Sequence, residues 1–178
     1  SGDVKPGRDV LIYDDAGDHC GLQAAEKIAA TGAKVEIMTP DRSFAPEVMA
    51  MNLVPYMRAM QDKDVTFTVT YRLKDVSRDG NRLTASIGSD YSDMRVVRSF
   101  DQIIVNHGTR PLDDLYFDLK PNSTNDGAVD HDALIKGERQ NVKSNPEGQY
   151  QLFRIGDAVS ARNTHAAIYD ALRLVMAL

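Results

Sequence analysis

The chain has 178 residues, 42% of them hydrophobic and 26% charged, and a formal net charge of −5 at pH 7. That length fits one domain, or one domain and part of another, with enough apolar residues to bury a core. The acidic balance argues against nucleic acid and against an anionic membrane surface as partners, and no run of about 18 apolar residues offers a membrane span.

The N-terminus SGDVKPGRD is polar and lacks the apolar stretch of a signal peptide, and Ser1-Gly2 looks like a cloning remnant. Val10–Tyr13 is an apolar run short enough for a buried strand. A loop with Gly17 and Gly21 follows, and Leu22–Ala30 places Leu22, Ala25, Ile28 and Ala29 at helical spacing before Gly32. Val35–Met38 is a second strand, ending at Pro40. Val10–Pro40 therefore reads as a βαβ unit. After a loop over 41–44, Glu47–Gln61 predicts a helix with Val48, Met51, Leu53, Val54, Met57 and Met60 as its apolar face, the methionines acting as core filler. Pro55 must kink this helix or mark its start.

From Val65 the period changes from helical to alternating. Val65–Val69 is a strand, Leu73–Val76 begins another, Asp79-Gly80-Asn81 is a hairpin turn and Arg82–Ile87 returns. Met94–Ser99 follows after a second turn, and Phe100–Val105 is a closing apolar strand ending at Asn106–Pro111. Residues 8–111 thus form one α/β domain with a parallel sheet and a β-meander. Leu112–Leu119 has alternating character. Within the loop-rich segment 112–148, Pro121–Asp132 and Gly137–Gly148 are rich in Asn, Ser, Gly, Asp and Pro, as in long surface loops or a crossing between domains. Over 149–178, Tyr150–Ile155 predicts a strand, Gly156-Asp157 a turn and Asn163–Leu178 a helix.

The turn after the first strand is where a dinucleotide-binding unit holds its ligand. G-x-G-x-x-G there lets the chain turn, lets a pyrophosphate approach the backbone, and lets helix and strand pack. With Gly21 in the third place, Ala16 takes the first and Asp18 the second, with Gly17 between them. Gly21 keeps the packing role, whereas Asp18 puts a carboxylate where pyrophosphate should lie, and Asp14 and Asp15 add negative charge. At an effective dielectric of about 20, two charges about 4 Å apart cost roughly 4 kcal/mol, enough to cancel a typical phosphate site. Arg42 is a candidate for a coenzyme 2′-phosphate or a solvated loop arginine. Gly108, in the turn after the closing strand, is a candidate for passing a nucleotide. His107 beside it is a candidate catalytic group or a solvent-facing loop histidine.

Gly156-Asp157 puts a carboxylate at a helix N-terminus, where it caps amides or bonds a cofactor hydroxyl. His19-Cys20 invites a metal or nucleophile reading, but adjacent residues rarely converge. Cys20 is the single cysteine, which excludes an internal disulfide or a cysteine-rich cluster site and suits a reducing, cytoplasmic setting.

Taken together, Val10–Asp15 running into Gly21, Thr39-Pro40, Asn106–Pro111, Leu115–Leu119 and Ile155–Ala158 resemble the C-terminal region of the trimethylamine dehydrogenase family. That family includes the 2,4-dienoyl-CoA reductase-like flavoenzymes, histamine dehydrogenase and the N-methyl amino-acid demethylases. The resemblance implies a Rossmann-like domain of the glutathione-reductase NADPH type, joined to the returning strand and helix of a partial FAD-type domain. It implies a parent with FMN and a 4Fe–4S cluster in a TIM barrel, ADP or FAD in the neighbouring domain, and oxidation or demethylation of a methylated amine or betaine. The missing barrel and FAD-type domain are then the partners, with a homo-oligomer as a further expectation. The fragment itself is expected to be catalytically silent, a degenerate nucleotide-binding domain with a structural role. The alternatives are a functional NAD(P)H-binding module, with Ala16–Gly21, Arg42 and Gly108 on the coenzyme, and an interaction domain unrelated to flavoenzymes.

Overall fold

Four consecutive residues of β1 (Asp9–Asp14) are apolar because both faces of the strand are covered. In the computed structural model, which describes residues 4–176, β1 lies inside a parallel sheet. Its neighbours are β2 (Lys34–Met38) and β7 (Gln102–Asn106), and β3 (Thr66–Thr68) pairs with β2. The register sets Ile12 beside Ile37 on one side and Ile104 on the other. Helix α1 (His19–Ala29) connects β1 to β2, and α2 (Ala50–Gln61) connects β2 to β3.

Alternation along β1 divides the core of this unit, Ser1–Gly108, into two layers. Val10 and Ile12 face the helices and pack with Leu22, Ala25, Ile28, Val48 and Met60. Leu11 and Tyr13 face the other way, against Ala85, Ile87 and Phe100. These three come from an antiparallel meander of β4 (Arg72–Asp79), β5 (Arg82–Gly88) and β6 (Arg95–Phe100). The hairpin turns at Gly80, which takes a left-handed φ of +58°. Arg82, the next residue but one, donates to Asp9, to Asp101 and to the Ser99 carbonyl, tying the hairpin to the start of β1 and to the β6–β7 link. The Rossmann-type parallel sheet with its meander is therefore present.

The helix expected over Glu47–Gln61 begins at Ala50 and runs through Pro55, so the proline does not mark its start. Only part of its expected apolar face is buried. Met60 is enclosed and Leu53 and Met57 are packed against the core, while Met51 is 80% exposed. The reason is angular: Met51 lies nine residues before Met60, about half a turn out of phase at roughly 100° per residue.

The second unit, Thr109–Leu178, is built differently. Its helices are α3 (Asp114–Leu119), α4 (His131–Lys136) and α5 (Thr164–Val175), with single 3₁₀ turns at Lys120–Asn122 and Gly156–Ala158. Leu112–Leu119, read as alternating, ends in a helix. Tyr116 bonds the Gly127 carbonyl, and Arg154 lies 4.7 Å over the Tyr116 ring while also pairing with Asp113. Between the stretches Pro121–Asp132 and Gly137–Gly148, read as loop, lies α4, which takes in the last two residues of the first; it is capped by Asp130 and stopped by Gly137 at φ +70°.

Tyr150–Ile155, expected as a strand, makes a single parallel bridge, between Tyr150 and Ser123. Beyond it the side chain of Asn125, fully buried, replaces the ladder. It accepts from the Leu152 amide and donates to the Leu152 carbonyl. The last expected helix is α5, started by Asn163, whose side chain accepts from Ala166; its expected end at Leu178 lies outside the described residues.

Because Ile12 is fully enclosed between the sheet and both helices, Ile12→Ala is expected to destabilise the chain by about 2–5 kcal/mol in urea unfolding. A loss below about 1 kcal/mol would contradict this placement of the core.

Candidate functional site

The turn between β1 and α1 is closed by the chain's own side chains. Asp14, the last residue of β1, is 2% exposed. Burying a carboxylate is costly unless donors meet it, and here three do. Its Oδ1 accepts from the Ala16 amide (3.3 Å), the Gly17 amide (3.2 Å) and Asn106 Nδ2 (2.9 Å). The amides that a phosphate-binding turn presents to its ligand are thus aimed inward at Asp14. Gly21 follows from the same arrangement. A Cβ there would overlap the Asp14 carboxylate, so glycine at this position makes room for the acid.

Asp18 is the N-cap of α1. Its Oδ1 accepts from the Cys20 amide (2.8 Å) and from Asn106 Nδ2 (3.0 Å). The obstructing charge expected at this position is therefore also a helix cap. Asn106, at the end of β7, bridges both carboxylates, and its Oδ1 accepts from the Gly108 amide (3.3 Å). Gly108 takes φ +85° and faces Ala16 Cβ at a distance consistent with van der Waals contact.

The outer side of the turn is covered as well. Gly17, at φ +69°, leaves no space for a Cβ because the Pro46 ring lies against it, and the Glu47 amide donates to the Gly17 carbonyl (3.1 Å). Pro46 is presented by Ala45, a buried residue held at φ +47°, a conformation costly for an L side chain and kept here by packing.

The remaining candidates are not part of this arrangement. Arg42 is exposed, and its Nε donates to the Tyr91 hydroxyl (3.3 Å). His107 is exposed, with Nδ1 2.8 Å from Asp15 Oδ1 and its ring edge-on to Tyr13. His19 Nδ1 lies 3.3 Å from the Tyr56 hydroxyl, and the exposed Cys20 thiol is pushed up by burial of its sulfur environment and by Asp18. The Tyr13 hydroxyl is buried with no hydrogen-bond partner among the described residues, and it is pushed up by burial and by Asp15.

In the second unit, Gly156 is buried at φ +56° and its amide donates to Asp170 Oδ2 (3.2 Å), which Arg162 also pairs with. Asp157 beside it is exposed. Among the described residues, no group of three or more His, Cys, Asp or Glu is arranged to hold a metal ion, and no helix is long and apolar enough to cross a membrane.

Of the residues singled out in the sequence, Ala16, Gly17, Asp18, Gly21 and Gly108 lie together in and beside this turn. In the sequence Asp14 reads only as added negative charge, and Pro46 and Asn106 are given no role in the turn. The available signal was the pair Asp14-Asp15 at the end of an otherwise apolar strand, since an acid at a core position needs donors nearby.

Burial pushes the Asp14 carboxyl above the ordinary aspartate range; the Gly17, Ala16 and Asn106 donors pull it back, and Asp18 raises it again. A native value above the unfolded one means that the native state holds the proton more tightly. The corresponding stability is complete below the ordinary aspartate value and is lost as pH rises through the native value. Asp14→Asn keeps an acceptor oxygen but does not titrate. Urea midpoints taken between about pH 3 and pH 7 are therefore expected to fall less with rising pH in the variant than in the parent. Parallel profiles would contradict the placement of Asp14.

No protein-family model matches the chain. A probable N-methylproline demethylase from Rhizobium meliloti (strain 1021) is 69% identical over 175 residues, covering 98% of this chain and 26% of that protein. An N,N-dimethylglycine/sarcosine dehydrogenase from Chromohalobacter salexigens is 39% identical over 178 residues, again with 98% of this chain and 26% of that protein. The chain thus spans about a quarter of the length of the curated relatives it matches. Among solved structures, histamine dehydrogenase from Rhizobium sp. 4-9 superimposes with a TM-score of 0.63 at 20% identity, over 94% of this chain and 22% of that one, a likeness of fold. These likenesses, to two demethylating or dehydrogenating relatives over nearly the whole chain and to histamine dehydrogenase in fold, fit a C-terminal fragment of the trimethylamine dehydrogenase and 2,4-dienoyl-CoA reductase-like family.

Proposed function

We propose that this chain is the C-terminal part of an FMN/iron–sulfur oxidoreductase that oxidises or demethylates a methylated amine, methylated amino acid or betaine. In this reading the part described here is a degenerate nucleotide-binding domain whose role is structural. The observation that carries the second statement is the Asp14 carboxylate, which takes the Ala16 and Gly17 amides that a pyrophosphate would need. What supports the first is the high identity to a probable demethylase of N-methylproline and the weaker one to a dimethylglycine/sarcosine dehydrogenase. With one cysteine the chain does not fit a cysteine-held cluster, and the closed turn does not fit NAD(P)H. FMN, the cluster and any ADP or FAD are assigned to the remaining three quarters of the protein, and its setting to the cytoplasm.

The same reading gives the second unit its partner. Ile168, Leu172 and Val175 form one stripe of α5 at i, i+4 and i+7, with Tyr169 and Met176 beside it, and all five are more than half exposed. A stripe of that kind suits a helix that packs on another part of the same protein. Subunit contacts in a homo-oligomer belong to the same proposal.

Titration of the chain with NADH or NADPH is expected to show no saturable binding up to about 1 mM. A micromolar Kd would overturn the degenerate-site reading in favour of a working NAD(P)H module. Asp18→Gly alone is expected to gain no affinity, because Asp14 and Pro46 still close the turn, and to lose only about a few tenths of a kcal/mol of stability with the cap. For the parent, anaerobic addition of an N-methylated amino acid to the full-length protein is expected to bleach the flavin absorbance. An unchanged spectrum across N-methylproline, dimethylglycine and simple methylated amines would overturn the assigned reaction class.

A further inference from the structure

We infer that the groove between α1 and β7 is the seat of the polypeptide directly preceding residue 1 in the longer protein, folded back as an amphipathic segment. This rests on the reading of the chain as part of a longer one. The groove has a volume of about 1020 Å3. Its apolar floor is made by Ala24 and Ile28 of α1 and by Ile104 of β7, and Val4, Lys5 and Pro6 are among its lining.

Three observations select this occupant. First, a parallel sheet is ordinarily covered on both faces. In this unit α1 and α2 cover β1 and β2 on the helix side, while β7 meets the meander strand β5 on the other side, and the groove leaves its helix-side face open. Second, the chain entering β1 is fixed in direction. The Gly7 amide donates to Gln102 Oε1 (3.0 Å), and the Arg8 and Asp9 amides both donate to Asp101 Oδ2 (3.1 Å each). Gly7 itself has no room for a Cβ against Asp101. These anchors hold the strand entry so that Val4, Lys5 and Pro6 line the groove. Third, the curated relatives extend well beyond this chain, which covers 26% of their length; on the proposed reading of the chain as the C-terminal part, that further length precedes it.

The chemistry of the groove suits a peptide better than a small ligand. Its polar lining, Lys5, Gln23, Glu26, Lys27, Thr31 and Gln102, sits at the exposed or half-buried rim, with no buried polar group aimed inward. An apolar floor between mixed-charge edges is complementary to one face of an amphipathic segment.

The test uses the full-length protein carrying Lys27→p-benzoylphenylalanine, a change at the solvent-facing rim. On illumination, mass spectrometry is expected to place the cross-link within roughly 30 residues upstream of Ser1. Peptide-resolved alkylation of Cys20, an exposed thiol in the groove lining, is expected to be slowed about tenfold or more relative to the urea-unfolded protein. Cross-links to a distant segment, cross-links to a second copy, or no cross-link together with a fully reactive Cys20 would each overturn the assignment. Flavin bleaching by an N-methylated amino acid in the same preparation reads the functional proposal separately, so either can fail while the other stands.

Discussion

The carboxylate of Asp14 is the interaction on which the rest of the turn depends. It is buried at the end of β1, where an isolated charge would be costly, and the surroundings are arranged to meet it. The Ala16 and Gly17 amides turn inward, Asn106 reaches across from β7, and Gly21 stays without a side chain to leave space. Three features that look like remnants of a coenzyme site are thus explained by one buried acid. Gly17 takes a left-handed φ, and the Pro46 ring lies where its Cβ would be.

A nucleotide-binding turn works because the amides at a helix N-terminus are unsatisfied and the helix field favours an anion there. In this chain the anion is supplied internally, twice, by Asp14 and by the cap Asp18, and Asn106 bridges them. The βαβ scaffold survives because its stability comes from elsewhere. Val10, Ile12, Leu22, Ala25 and Ile37 pack regardless of what the turn holds. A closed turn and a retained fold are compatible for that reason, and on the proposed reading the exposed stripe on α5 and the open groove beside β7 are surfaces that the rest of a larger protein would cover.

Much of the first unit was legible in the sequence because its periodicities are strong. Continuous apolar β1, the spacing of Leu22, Ala25 and Ile28, and the Asp79-Gly80-Asn81 turn each imply one local structure. The α2 face was only half readable, since counting apolar residues put Met51 and Val54 with Leu53 and Met60 although they point elsewhere on the helix. The second unit was less legible because polar side chains replace regular pairing there. Asn125 and Gln140, both buried, bond backbone groups of Leu152 and Asp130 in place of strand ladders, and no periodicity announces such contacts. At the site, the substituted glycine positions were plain. The inward direction of the Asp14 carboxylate was not, because it depends on Asn106, 92 residues away along the chain.

The central claim is that the Asp14 carboxylate occupies the turn amides in place of a ligand phosphate. The direct measurement is an NMR titration of the chain that follows the Asp14 carboxyl carbon and the Ala16 and Gly17 amides, with and without inorganic pyrophosphate. The account predicts that both amides shift with the ionisation of Asp14, that this ionisation lies above the ordinary aspartate range, and that pyrophosphate moves none of the three resonances. Amides indifferent to Asp14 and shifted saturably by pyrophosphate would contradict it.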